Sequence, residues 1–228
     1  MGIFIKKIII FFYLFIIFNN YIKGNQFDLD NARTEFLNGN FEVSIDIAAK
    51  LSSIDAKVFQ ARAISVFTHF FKDGEISKSE FQKAYKISKN AIAMAPENAE
   101  TYVEAAHALG RYGQKIGIMS AISEGIADRV KLYLDKALSI DNNNIIANLS
   151  KGIWHAEIIN EAGNTLAKVL YGADASLARN HFEKVYLMNN DEISVLFELS
   201  YGYHLLGKED DLRISLKYIE EALLKKNK

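Results

Sequence analysis

Three stretches decide how this chain folds: Ala93-Met94-Ala95-Pro96-Glu97-Asn98, Ser139-Ile140-Asp141-Asn142-Asn143-Asn144 and Leu187-Met188-Asn189-Asn190-Asp191-Glu192. Each runs in the same order: an apolar close, a short polar turn and a fresh start. Met94, Ile140 and Met188 align at intervals of 46 and 48 residues. Recurrence of one unit at a near-constant period is the mark of stacked repeats, in which each unit buries its apolar face on the next.

The residues between these turns are spaced for helices. Phe81, Tyr85, Ser88, Ile92 and Ala95 step by four and three, as do Ile122, Ile126, Val130, Tyr133, Ala137 and Ile140. Leu212, Leu216, Ile219 and Leu223 do the same. A period near 3.6 puts each set on one helix face. The chain has a single proline, Pro96, which permits long helices and argues against turn-rich β architectures. Breaks are expected at Asn38-Gly39-Asn40, Asp73-Gly74, Pro96, Asn142 to Asn144, Asn189 to Asp191 and Gly207. Ser77, with Glu80 three residues on, reads as a capping box opening a helix. The predicted helices are 28–38, 41–53, 56–72, 78–95, 98–116, 121–140, 144–162, 164–188 with a break near Gly172, 192–206 and 209–226. The expected fold is an all-α, right-handed superhelical solenoid of about five antiparallel helix pairs over residues 25–228.

Composition narrows the chemistry. The 228 residues carry 27 Lys+Arg and 28 Asp+Glu, half of them are hydrophobic, and none is cysteine. Disulfides, thiolate metal sites and cysteine nucleophiles are excluded. A net charge of −1 argues against a nucleic-acid partner, which demands an excess of cations. The five histidines, His69, His107, His155, His181 and His204, include no close helical pair, so no metal is expected. Gly110, Gly113, Gly117 and Gly125 lack the phosphate-loop pattern and read as sites of close helix crossing. No cofactor and no catalytic residue is expected.

Residues 1–24 read as an address. Lys6 and Lys7 precede an apolar run from Ile8 to Phe18, and Asn19, Asn20 and Lys23 end it. Eleven apolar residues suit a signal peptide, whereas a spanning helix needs about 20. The alternative is an uncleaved anchor through residues 3–22. Either places the body outside the cytoplasmic membrane, in the periplasm or anchored facing outward. A cysteine-free secreted body fits a bacterial periplasm.

The helix-end pattern at 93–98, and Ala32, Phe36, Gly39, Asn40, Phe41, Ile45, Ala48 and Leu51 around a glycine turn, resemble the tetratricopeptide repeat. Leu199, Tyr203 and Gly207 keep fitting offsets, whereas Leu212 stands where that repeat prefers Ala. A narrower resemblance covers about residues 90–224: Leu109-Gly110-Arg111-Tyr112-Gly113-Gln114-Lys115, Ala137-Leu138-Ser139-Ile140-Asp141, Gly152-Ile153-Trp154-His155-Ala156-Glu157, Leu170-Tyr171-Gly172-Ala173 and His181-Phe182-Glu183-Lys184. This order is similar to the regulator of microtubule dynamics family and its exported bacterial relatives. The eukaryotic members are described as microtubule- or membrane-associated adaptors. An exported bacterial protein would meet no microtubules, so that activity is not carried over.

The functional expectation is a non-catalytic protein–protein interaction scaffold that uses the concave face of the solenoid to hold a protein or peptide. The alternative is a periplasmic small-ligand-binding component resembling the tetratricopeptide partners of tripartite organic-acid transporters. An enclosed cavity of at least ~300 Å³ would favour the small ligand, and an open groove a protein. Candidate contact residues are Tyr102, Arg111, Tyr112, Lys115, Trp154, His155, Tyr201 and Tyr203. Aromatic groups anchor recognition, and Arg111 and Lys115 suit a carboxylate, although both also complement a helix C-terminus. A catalytic alternative centres on His155 and Glu157 and requires them to converge with a third polar group.

Overall fold

The computed structural model describes residues 28–188 and 191–226. The address at 1–24 and most of the turn at 189–191 lie outside the described residues. Among the described residues every regular element is a helix. α1 spans 28–37. It is followed by α2 (Phe41–Ala49), α3 (Ile54–Phe71), α4 (Gly74–Met94), α5 (Ala99–Ile116), α6 (Ile118–Ser123), α7 (Ile126–Ile140), α8 (Ile145–Tyr171), α9 (Ala175–Met188), α10 (Ile193–Leu206) and α11 (Glu209–Lys226). They form antiparallel pairs: α1 with α2, α3 with α4, α5 with α7, α8 with α9, and α10 with α11. The short α6 lies in the α5–α7 connection. The pairs stack into the expected solenoid. No described helix is long and apolar enough to cross a membrane.

The three aligned residues Met94, Ile140 and Met188 are each the last residue of a pair's second helix. The turns after Met94 and Ile140 supply side-chain caps, whereas Glu192 after Met188 makes none. The Asn98 side chain accepts from the Glu100 N–H at 3.0 Å, and that of Asn144 from the Ala147 N–H at 2.8 Å. Ser53 does the same for Ala56 at the start of α3. Each cap satisfies an N–H that the first turn of a helix leaves without a partner. The repeated cadence is therefore a repeated helix start.

Three expectations are corrected. Ser77 does not open α4, which begins at Gly74 after extended Asp73. Gly74 takes a positive φ that starts the turn early, and the Ser77 hydroxyl donates back to the Gly74 carbonyl. The helix expected over 121–140 is split, because Gly125 at φ +60 separates α6 from α7 and leaves Ile122 exposed. The break at 163 is a kink inside α8, at Gly163 with φ +74. Residues 164–171 thus continue the first helix of the pair. Gly172 ends it with a left-handed cap, the Ala173 N–H reaching the Ala167 carbonyl at 3.1 Å. The leucine stripe of α11, which the sequence places on one face, turns away from the core. Asp211, Ser215, Tyr218 and Ala222 face it. Small Ser215 lets α11 sit against α10, where it meets Ser200 hydroxyl to hydroxyl at 2.9 Å, and Asp211 is drawn in by the Arg179 guanidinium at 2.6 and 2.7 Å.

Two glycines set the register of the last two pairs. Phe182 on α9 is fully buried, wedged between Gly152 on α8 and Gly202 on α10. A Cβ at either position would come within 2.4 or 2.3 Å of its ring. The expected tight crossing near Gly113 is present too: a Cβ there would lie 2.9 Å from Ile126.

Candidate functional site

The first helices of the last four pairs, α3, α5, α8 and α10, with α7 contributing to the floor, line one half-open cleft of about 280 Å³. Its floor is apolar: Ala106, Gly110, Val130, Leu134, Leu149, Ile153 and Trp154. Its rim is polar and aromatic, with His69, Phe70, His107, Arg111, Gln114, Glu157, Glu198 and Tyr201. Phe70 is 69% exposed, so its ring projects into solvent beside the opening.

Trp154 is mostly buried. Its indole N–H donates to the Ala127 carbonyl at 3.1 Å, which fixes the ring against α7. The buried Lys151 ammonium lies 5.0 Å from the indole centre and pairs with Asp135 at 2.6 Å. The cleft floor is thus clamped from behind. On the rim a side-chain relay crosses from α5 to α8. Arg111 donates to the Gln114 carbonyl oxygen at 3.1 Å, and the Gln114 amide donates to Glu157 at 2.8 Å. Burial pushes the Glu157 carboxyl above its ordinary range, against the opposing pull of Arg111. The Tyr201 phenol is raised by burial and by that same carboxylate.

A second network runs along the α3–α5 seam. Arg62 donates to Glu104 at 2.7 Å and to Glu100 at 2.6 Å, and the Asn144 amide donates to Glu100 at 2.8 Å. Glu104 is 1% exposed. Burial alone would push its carboxyl up, but His107 and Arg62 outweigh that and hold it below the ordinary carboxylate range. One of its oxygens accepts no hydrogen bond and faces the His107 ring at 3.9 Å, and the other ring nitrogen of His107 meets the Ser150 hydroxyl at 2.6 Å.

The eight expected contact residues separate. Arg111, Trp154 and Tyr201 line the cleft. Tyr102 and Tyr203 are buried: the Tyr102 hydroxyl donates to the Pro96 carbonyl at 2.9 Å, and Tyr203 packs 5.1 Å from Phe182. Tyr112 packs against the core cluster of α5, α7 and α8. Lys115 reaches away to Asp73 at 3.4 Å. His155 lies on the opposite side of α8, where it accepts the Asp174 N–H at 3.2 Å and stacks on His181. Burial, with Lys151 nearby, depresses its pKa to about 4. Glu157 faces the cleft and His155 the α8–α9 interior, so they do not converge and the catalytic alternative built on them is dropped. Residues two apart on a helix point roughly opposite ways. Among the described residues, no group of three or more His, Asp or Glu is placed to hold a metal ion.

Phe70, His69, His107, Gln114 and Glu198 were not anticipated as rim residues. A signal for part of the rim was present: His107, Arg111 and Gln114 step by four and three, as do Ser150, Trp154 and Glu157. Polar residues at helical spacing on successive first helices mark a solvated inner wall.

Comparison with known proteins agrees with this architecture. Residues 31–228 match the model of the family described as regulator of microtubule dynamics protein 1-3. A thermophilic TPR protein from Thermus thermophilus superposes with a TM-score of 0.67 at 13% identity, over 90% of this chain and 92% of that one. A MamA protein gives a TM-score of 0.46 at 13% identity, over 89% and 92% of the two chains. A search of curated proteins found no significant match.

Proposed function

We propose that this chain, which belongs to the regulator of microtubule dynamics protein 1-3 family, is a non-catalytic adaptor that holds a segment of a partner protein in its concave cleft outside the cytoplasmic membrane. The observation that carries this reading is the convergence of four first helices on one half-open cleft with an apolar floor and a polar rim. Such a site supplies what peptide recognition needs: aromatic anchors, desolvated apolar area and a few fixed polar partners. Arg111 and Glu157 stand on the same rim, so it accepts a segment bearing both signs of charge rather than a purely acidic one. The opening along one side favours a chain segment over a small molecule, which is ordinarily enclosed by 70–90% or more of its surface. The signal-like run at 8–18 supports export.

The test is site-specific photocrosslinking in intact cells. A photoreactive residue at Phe70 or Tyr201 is expected to capture a discrete partner, and Arg111→Glu to reduce the capture. Recovery of cytosolic proteins only would overturn the location. Equal capture from a position on the outer helices would overturn the cleft. Separately, residues 1–24 fused to a reporter active only outside the cytoplasm are expected to give signal; silence counts against export.

A further inference from the structure

The open end of the solenoid carries an apolar face that the cleft does not use. On α11, Leu216 is 64% exposed, Leu223 56% and Leu212 37%. Ile219, half-buried, completes the row. These residues step by four, three and four, the spacing of a coiled-coil seam. On α10, Ile193 and Phe197 are 44% and 56% exposed. The Ser200–Ser215 contact fixes how the two helices face each other, and with that phase both rows look out of the same end. Among the described residues α11 packs mainly on α10, and its leucine row is left uncovered.

The charges beside the row name the occupant. Arg213, which pairs within α11 with the exposed Glu209 and Asp210, and Glu220, seven residues on, flank the same exposed edge of the stripe. On the other edge lie the buried Ser215 and Ala222, already packed within the chain. If two α11 helices lie antiparallel, Leu212 meets Leu223 of the second copy and Leu216 meets its Ile219. Arg213 then falls beside Glu220 of the second copy, and by symmetry the pair forms twice. A parallel pairing would instead set the Arg213–Glu220 edge of one copy against the Ser215–Ala222 edge of the other, where no opposite charge meets it. We infer that two copies of this chain associate through their open ends, with the α11 helices antiparallel and the leucine row at the centre. Such a contact is isologous and closed, so it stops at a dimer.

The absence of cysteine makes the test clean. Arg213→Cys and Glu220→Cys are made as separate variants of the full chain, kept soluble in mild detergent. Mixed and oxidised, they are expected to give disulfide-linked dimers, while each alone gives far fewer. Equal linkage of either variant alone would overturn the antiparallel arrangement. Sedimentation of the unmodified chain is expected to show a concentration-dependent dimer. A monomer at every concentration would overturn the proposal. Leu216→Glu, at a position already exposed, is expected to weaken association by about tenfold or more without lowering the melting temperature. Arg213→Glu and Glu220→Arg each weaken it and together restore it; failure of the double variant to recover would also count against the pairing.

Discussion

The α3–α5 seam and the α8–α9–α10 seam join neighbouring helix pairs in the same topology by different means. The first is polar. Arg62 on α3 reaches two carboxylates on α5, and Asn144 and Ser150 from α8 complete the network. The second is steric. Phe182 fills a slot that exists only because positions 152 and 202 lack a Cβ. A charged seam borders a solvated cleft without exposing apolar area, yet it responds to salt and pH. A ring between two glycines sets helix separation sharply through a contact that carries no charge of its own. The charged seam therefore reaches the cleft, through His107 and Ser150, and the steric one lies where the pairs must hold their register.

The largest expected effect falls on the steric seam. Phe182→Ala removes a fully buried ring and is expected to cost about 4 kcal/mol, read by denaturant unfolding. A loss under about 1 kcal/mol would mean that the glycines, not the ring, define the contact.

Acid separates the two regions next. His155 and His181, beside the steric seam, are both depressed to about 4 by burial, with Lys151 adding to it. The unfolded chain takes up these protons near pH 6.5, whereas the folded chain refuses them until about 4. Stability is therefore full above 6.5 and lost as pH falls toward 4, by about 3 kcal/mol for His155. Glu104 acts in a lower window: its depressed carboxyl stabilises above the ordinary carboxylate range and loses that only as pH falls below it. Thermal melts between pH 7 and 4 should show the histidine slope, flattened in His155→Gln. An unchanged slope in that variant would assign the titration elsewhere.

Breaking the polar seam comes third. Arg62→Ala leaves Glu104 buried beside only His107 and is expected to cost about 2 kcal/mol, since Arg62 itself is partly exposed. Adding Glu104→Gln should recover part of the loss. Additive losses in that double variant would show that the two side chains are not coupled. The smallest effect is expected from Lys115→Ala. Its partner Asp73 is 97% exposed, so the loss should stay under about 0.5 kcal/mol by the same unfolding measurement.

How far the sequence could be read varied with how local the signal was. Met94, Ile140 and Met188 marked three helix ends because a short polar turn follows each, twice with an asparagine cap, and such signals are made by residues within a few positions. A break at 163 was legible too, but only the structure shows that it is a kink inside α8 rather than a boundary between two helices. The site was less so. Arg111, Trp154 and Tyr201 reached the cleft, but Tyr102 and Tyr203 were taken by the core, because an aromatic residue on a first helix suits a wall or an interior equally well. Phe70 was missed since it continues a run of apolar residues.

The sequence by itself determined that the chain is a row of helix pairs, where most of the pairs turn, and that cysteine chemistry is absent. Periodicity and capping are short-range, so they survive reading in one dimension. Only the tertiary structure decided which stripe each helix buries. The period of α11 shows that Leu212, Leu216, Ile219 and Leu223 share a face, but the Ser200–Ser215 approach and the Arg179–Asp211 pair turned that face outward. The same holds for α8, where Glu157 met the cleft and His155 the interior. A helix fixes which residues share a face, and its neighbours determine the direction in which that face points.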